Sequence, residues 1–438
     1  MVPGSRRRSG RIAASAIALV ALSSASVGLA GDTASPPSKK PARAEIIAQL
    51  PRELSSARIH ADLRALERIA DRFGSNRAAG TAGYGGSVDH VRAELKRAGY
   101  SPRVVGFPFV EYRESVEKGI QIAPIRRKLR VEALDYSPST PKGGLRARVV
   151  AAGNGCESGD FEGVRGFIAL ARRGACFFAV KARNAHNAGA IALLVFNSEP
   201  GLFDGTLGDP RASPIPAAAI DGAVGPELAV SSSSMVELEL VTHRRRSTSQ
   251  NVIADTHNGA RRVLMVGAHL DSVLVGPGIN DNATGVVALL EIARVVRKRY
   301  PELAVRFGFW GAEELGLFGS RAYASTADRR RIVGYLNLDV LGSPSPERTV
   351  YKGGPFAARW LEHFERRGLR VGQIDVGGRS DHFPLDQAGV PTGGLFAGGY
   401  PCYHRACDRL ANVDLAVLDE LAAAAAFGVA SFAPIVRD

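Results

Sequence analysis

The chain has 438 residues, 45% hydrophobic and 23% charged, which suits one large globular domain with an insert and excludes a disordered or fibrous protein. Its formal net charge is +13. The basic runs at 126–128, 244–246 and 329–331 lie in unrelated contexts without interleaved aromatics, so they read as solvated surface and not as a nucleic-acid face.

Residues 1–30 read as an export signal. Arg6, Arg7, Arg8 and Arg11 precede the short apolar run IAASAIALVALSSASVGLA, which ends in small residues suited to a signal peptidase. No later run of about twenty apolar residues is evident, so no stable membrane insertion is expected. The expected location is therefore secreted or periplasmic. Residues 31–43, polar and proline-containing, read as a leader. Helical spacing follows over 44–72, with Ile46, Ile47 and Leu50, then Leu63, Leu66 and Ile69. After the glycine-rich NRAAGTAGYGG, Val88, Val91 and Leu95 stripe one face of a second helix that ends near Gly99.

The tract 131–240 differs in texture. Short β-like runs (LRARVVAA, GFIALARRG, AIALLVFNS, MVELELV) alternate with turns, and one helix, FAVKARNAHNAGA, sits among them. The tract reads as a small β-rich domain inserted into a larger one made of 44–130 and 241–438, with THRRRSTSQ (242–250) as a polar linker. His186, on the alanine-rich helix, reads as packed or exposed and not as a ligand. From 251 onward strand-like and helical runs alternate, the rhythm of an α/β domain with a largely parallel, helix-covered sheet. Four cysteines in an exported chain allow three pairings, and the spacings favour two local loops, Cys156–Cys176 and Cys402–Cys407.

In such a sheet ligands gather at the carboxyl ends of the strands. Four strand-like runs lead there into possible metal donors. RVLMVGA reaches His269 and Asp271, with Asp281 after a glycine loop; AVRFGFWGA reaches Glu313 and Glu314; GYLNL reaches Asp339; and the turn GYPCYHRACD presents Tyr403 and His404. Carboxylates buried together at convergent strand ends repel one another unless a cation lies among them. Imidazoles with carboxylates suit zinc, and by donor type also cobalt or manganese.

The strings GAHLDSV, GPGINDNATG, FWGAEELGLFGS, NLDVLGS, GRSDHFPL and CYHRACD resemble the two-zinc aminopeptidases typified by small secreted bacterial leucine-type enzymes. That resemblance implies a three-layer helix-sheet-helix fold with a mostly parallel central sheet, and two zinc ions per chain. His269 and Asp339 would bind one ion, Glu314 and His404 the other, with Asp281 as the bridge. Asp271 would orient His269, Glu313 would be the general base, Tyr403 would hydrogen-bond the oxyanion, and the loop at Arg379 would help seat the substrate's free amine. The substrates would be peptides or proteins with a free, apolar N-terminal residue. The tract GCESGDFEGVRGFIALARRGACFFAVKARNAHNAGAIALLVFN resembles a protease-associated domain, for which covering the cleft and mere stabilisation are both open roles.

Two other functions fit parts of this pattern. A carboxypeptidase-type relative shares the metal core, but its further helical dimerisation domain does not fit in the 438 − 404 = 34 residues after His404. A non-catalytic, peptidase-like binding protein would be expected to lose metal ligands, and here all five candidates and the base are present.

Overall fold

The computed structural model describes residues 41–344 and 347–436. The expected signal peptide and nearly all of the leader lie outside the described residues. The first helical tract divides in two. Helix α1 (Arg43–Gln49) leads through a short 3-10 turn to α2 (Ser56–Arg72), where the Ser55 side chain caps the N–H of Arg58 and Ile59, Leu63, Leu66 and Ala70 are buried. Thr81 caps α3 (Ala82–Arg97) in the same way through Tyr84.

A long strand β1 (Arg103–Ala123) follows, then short β2 (Arg127–Leu129) and β3 (Val131–Ala133). The inserted tract continues with β4 (Leu145–Ala151), β5 (Ile168–Arg172), α4 (Phe178–Asn187), β6 (Ala192–Phe196), β7 (Ala217–Ile220) and α5 (Gly225–Val230). A second long strand, β8 (Met235–Asp255), returns along β1 from Ala123↔Met235 to Arg103↔Ile253. The reading of 242–250 as a linker is therefore corrected. Its arginines lie mid-strand, where Arg245 pairs with Glu111 at 2.6 Å across the ribbon. Part of this ribbon faces solvent, so it can carry polar residues that look like a linker by composition.

The remainder alternates: β9 (Val263–His269), α6 (Thr284–Arg299), β10 (Val305–Trp310), α7 (Phe318–Thr326), β11 (Ile332–Leu338), β12 (Thr349–Tyr351), α8 (Gly354–Arg366), β13 (Gly372–Ile374), α9 (His382–Gln387), β14 (Thr392–Phe396) and α10 (Leu415–Phe432). Strand pairing runs continuously as β13-β12-β14-β11-β9-β10-β8-β4-β5-β6-β7-β3. Neighbours β10, β9, β11 and β14 are parallel, flanked by antiparallel β8 and β12. Every residue of β9 is buried, as expected of a parallel strand covered on both faces. Helices α2, α3, α6, α8 and α10 cover one face in a single core, and α7 and α9 cover the other around Trp310 and Tyr335. This is the expected three-layer arrangement.

Helix α10 is long and apolar enough to cross a membrane (mean hydropathy 1.7). It is nevertheless a core helix: Leu418, Leu421 and Ala425 are wholly buried, and Trp360 Nε1 donates to the Ala424 carbonyl at 2.9 Å. Between α2, α3 and α6, Arg294 donates to Asp62 (2.6 Å) and Glu94 (2.7 Å). His90 also lies 3.2 Å from Asp62. These residues could be mistaken for metal ligands, but the guanidinium already neutralises the carboxylates, and the cluster reads as a buried ion-pair network.

Candidate metal centre

His269 is the last residue of β9, so its side chain leaves the sheet at the carboxyl edge of the parallel strands. The chain then doubles back through a glycine loop before α6. Gly278 has φ +61°, and a Cβ there would lie 2.3 Å from the Asp281 carbonyl; a Cβ on Gly276 would lie 2.3 Å from the Arg405 carbonyl. These contacts draw the loop down against both Asp281 and the turn that carries His404.

The five donors expected from the sequence come together. His269 Nε2 lies 3.0 Å from Asp281 Oδ1 and 3.3 Å from Asp339 Oδ1. His404 Nε2 lies 3.0 Å from Glu314 Oε2 and 3.5 Å from Asp281 Oδ2. Asp281 thus turns one oxygen to each imidazole. Glu313 Oε2 stands 3.9 Å from His269 Nε2. Glu314 Oε1, Asp339 Oδ1 and His404 Nε2 are buried without a hydrogen-bond partner. Orphaned donors and acceptors of this kind are costly unless something else binds them, and zinc accepts each of these atom types.

Charge points the same way. Asp271, Asp281, Glu313, Glu314, Asp339 and Asp381 bring their carboxyl groups into one largely buried pocket. Burial pushes Glu313 well above the usual carboxylate range, and Asp381, Glu314 and Asp339 add to the rise against His269. Burial opposes the charged imidazole of His269, yet Glu313, Asp339 and Asp281 hold its pKa well above the ordinary value. An excess of buried negative charge of this kind fits divalent cations.

Residues behind the donors fix their directions. The Asp271 carboxylate accepts the main-chain N–H groups of Glu313 (3.1 Å) and Glu314 (3.3 Å), so it clamps the turn between β10 and α7. It stands 3.8 Å from His269 Nδ1, beyond hydrogen-bond reach, while that nitrogen faces the Asp271 main-chain carbonyl at 3.2 Å. Asp271 thus meets His269 Nδ1 most closely through its main-chain carbonyl. Asp339 is held by a relay: Trp310 donates to Tyr335 (2.9 Å), Tyr335 to Asn337 (2.7 Å), Asn337 to Ser380 (2.7 Å), and Ser380 to Asp339 Oδ2 (2.5 Å). Asp408 accepts from the N–H groups of Asn280 (2.8 Å) and Asp281 (3.1 Å). Arg77, wholly buried, donates to the carbonyls of Leu270, Pro277 (2.9 Å) and Gly278 (2.5 Å) and holds the glycine loop.

Sequence reasoning gave no role to Arg77, Ser380, Asp381 or Asp408. The signal was present, because each lies inside a string singled out for other residues. Both expected disulfides form, Cys156–Cys176 and Cys402–Cys407, with Cα separations of 5.8 and 5.3 Å. The second closes the turn bearing Tyr403, whose ring stacks on His404 with centroids 3.9 Å apart. The Arg379 guanidinium folds onto the carbonyls of Val376 (2.9 Å) and Asp375 (3.1 Å) in its own loop.

Known proteins are similar to this chain in sequence and fold. Residues 251–428 match peptidase family M28, and residues 145–228 match the PA domain. An aminopeptidase of Pseudomonas aeruginosa is 36% identical, with 86% of this chain and 81% of that protein covered. A probable lipoprotein aminopeptidase of Mycobacterium tuberculosis is 34% identical over 90% of this chain and 88% of its own length. Among solved structures, an aminopeptidase from Aneurinibacillus sp. strain AM-1 superposes with a TM-score of 0.74 at 28% identity, covering 89% of this chain and 97% of that one. A zinc aminopeptidase from Bacillus subtilis gives a TM-score of 0.65 at 25% identity, covering 87% and 95%. The chain belongs to peptidase family M28, as a metal-dependent peptide hydrolase with a PA domain inserted in it.

Proposed function

We propose that the protein is a secreted aminopeptidase that uses two zinc ions to remove apolar N-terminal residues from peptides. The observation that carries this reading is the placement of Asp281, one oxygen toward His269 and the other toward His404, with Asp339 and Glu314 beside the respective imidazoles. His269 and Asp339 would hold one ion, Glu314 and His404 the other, and Asp281 would be shared. Bound there, the ions would lower the pKa of a water toward neutrality and polarise the scissile carbonyl.

The chain's own groups supply the rest. Glu313, buried with its carboxylate 3.9 Å from His269 Nε2, takes the proton of the attacking water and delivers it to the departing amine. Tyr403, half-exposed beside His404, donates a hydrogen bond to the developing oxyanion. The loop at Arg379 would help seat the substrate's amine, since it runs directly into Ser380, which donates to Asp339. Exposed Phe177 of the inserted domain faces Phe383, with ring centroids 6.3 Å apart, and supports an apolar preference. The inserted module takes up 131–240, carried by 44–130 and 241–438. The two disulfides and the signal-like sequence of residues 1–30 support export.

The test compares leucine-p-nitroanilide with an N-blocked peptide, with and without chelator. Chelator-sensitive turnover of the free-amine substrate supports the proposal. Turnover of the blocked substrate alone, or indifference to chelator, refutes it.

A further inference from the structure

We infer that the inserted domain completes the catalytic centre, with Tyr136 as a positioning residue for the Glu313–Glu314 turn. The inference rests on the assignment of Glu313 and Glu314 above. That turn is clamped from the peptidase side by Asp271, through the N–H groups of Glu313 and Glu314. From the other side the Tyr136 hydroxyl donates to the carbonyl of Leu315, the next residue, at 2.5 Å, and shares its proton with the Val110 carbonyl of β1 at 3.0 Å.

The segment after the two glutamates is seated in the inserted domain. Leu315 and Phe318 pack against that domain's own core, which includes Leu134, Tyr136 and Phe203. The Tyr136 ring is wholly buried between Tyr112 (centroids 5.5 Å) and Phe318 (6.2 Å). A Cβ on Gly316, which has φ +118°, would lie 2.9 Å from the Gly208 carbonyl, so the two domains meet at backbone distance here.

Tyr136 is itself braced. Its φ is +67°, a conformation that a bulky residue keeps only when its surroundings impose it. Arg244 of β8 donates to the Tyr136 carbonyl and, at 2.5 Å, to that of Pro210. Consecutive residues with different tasks, a base and a metal ligand, require the turn to hold one orientation. Asp271 fixes its amides, and Tyr136 fixes the carbonyl that follows them.

The experiment uses the zinc-loaded full chain as Tyr136→Phe, Arg244→Ala and, as a control on the exposed face of the inserted domain, His186→Ala. Tyr136→Phe keeps the ring packing and should keep Tm within about 3 °C. Loss of the hydroxyl that the Leu315 and Val110 carbonyls share should lower kcat roughly tenfold with KM within about twofold, and should quicken zinc loss to a chelator. Arg244→Ala should move kcat in the same direction by less, and His186→Ala should leave it unchanged. Wild-type kcat in Tyr136→Phe overturns the inference, as does a fall in Tm with kcat retained, the signature of a purely structural contact. If Tyr136→Phe does not fold, Arg244→Ala decides, and an unchanged kcat there overturns the inference. A wild-type chain without aminopeptidase activity would instead refute the functional reading on which it rests.

Discussion

Replacing Arg77 by methionine removes a fork that no other described residue duplicates. Its side chain serves three main-chain carbonyls, Leu270, Pro277 and Gly278, in the loop between His269 and Asp281. Each carbonyl left without a donor in a dry site costs about 1–3 kcal/mol, so three cost roughly 3–9 kcal/mol. Part of this is offset, because holding a guanidinium away from water is itself unfavourable; burial pulls the Arg77 pKa down to about 10 against the attraction of Asp271 and Asp408. The expected net loss is about 3–5 kcal/mol, the range for removing one partner from a buried charged cluster. Urea unfolding of the metal-free protein measures it directly. Arg77→Lys, which keeps the charge but cannot reach three carbonyls at once, should fall between wild type and Arg77→Met. Because the loop carries His269 and Asp281, turnover should fall with stability. A loss below about 1 kcal/mol in Arg77→Met with turnover intact would refute the bracing role.

Glu313→Gln should retain wild-type zinc while kcat falls by about 10²–10⁴, read by metal analysis beside a leucine-p-nitroanilide assay; activity near wild type would remove Glu313 as the base. Glu314→Ala should lose one equivalent of metal selectively, and unchanged zinc content would contradict its role as a ligand. Away from the centre, burial and then Asp204 raise the Glu132 pKa from 4.5 to about 9. The folded state therefore binds this proton more tightly than the unfolded one. Its stabilising share is complete below pH 4.5 and is lost as pH rises toward about 9. Glu132→Gln should accordingly raise Tm at pH 8 relative to wild type and leave it unchanged at pH 4, as scanning calorimetry would show. Arg294→Met should destabilise by about 3–5 kcal/mol, because it strands Asp62 and Glu94 between helices.

The gathering of His269, Asp281, Glu314, Asp339 and His404 was legible in the sequence because parallel strands deliver whatever follows them to one edge. The helix layers were legible from the spacing of residues such as Leu63 and Leu66 or Val88 and Val91. What spacing does not record depends on direction or on distant partners. Residues 242–250 carry arginines that look like a linker, yet their backbone pairs with β1. Asp271 sits two residues from His269, but spacing does not say that its carboxylate reaches two amides more than forty positions away. The Arg379 fork could have pointed into the cleft or back onto its own loop, and only local carbonyls decide. Tyr136 meets Leu315 across 179 positions, between two domains, where no local pattern records the contact.

The most direct test of the dinuclear centre is anomalous scattering at the zinc edge from crystals of the zinc-loaded protein. The account predicts two peaks per chain, one touched by His269 and Asp339, the other by Glu314 and His404, with Asp281 at both. A single peak, or peaks elsewhere with these side chains turned apart, would contradict it.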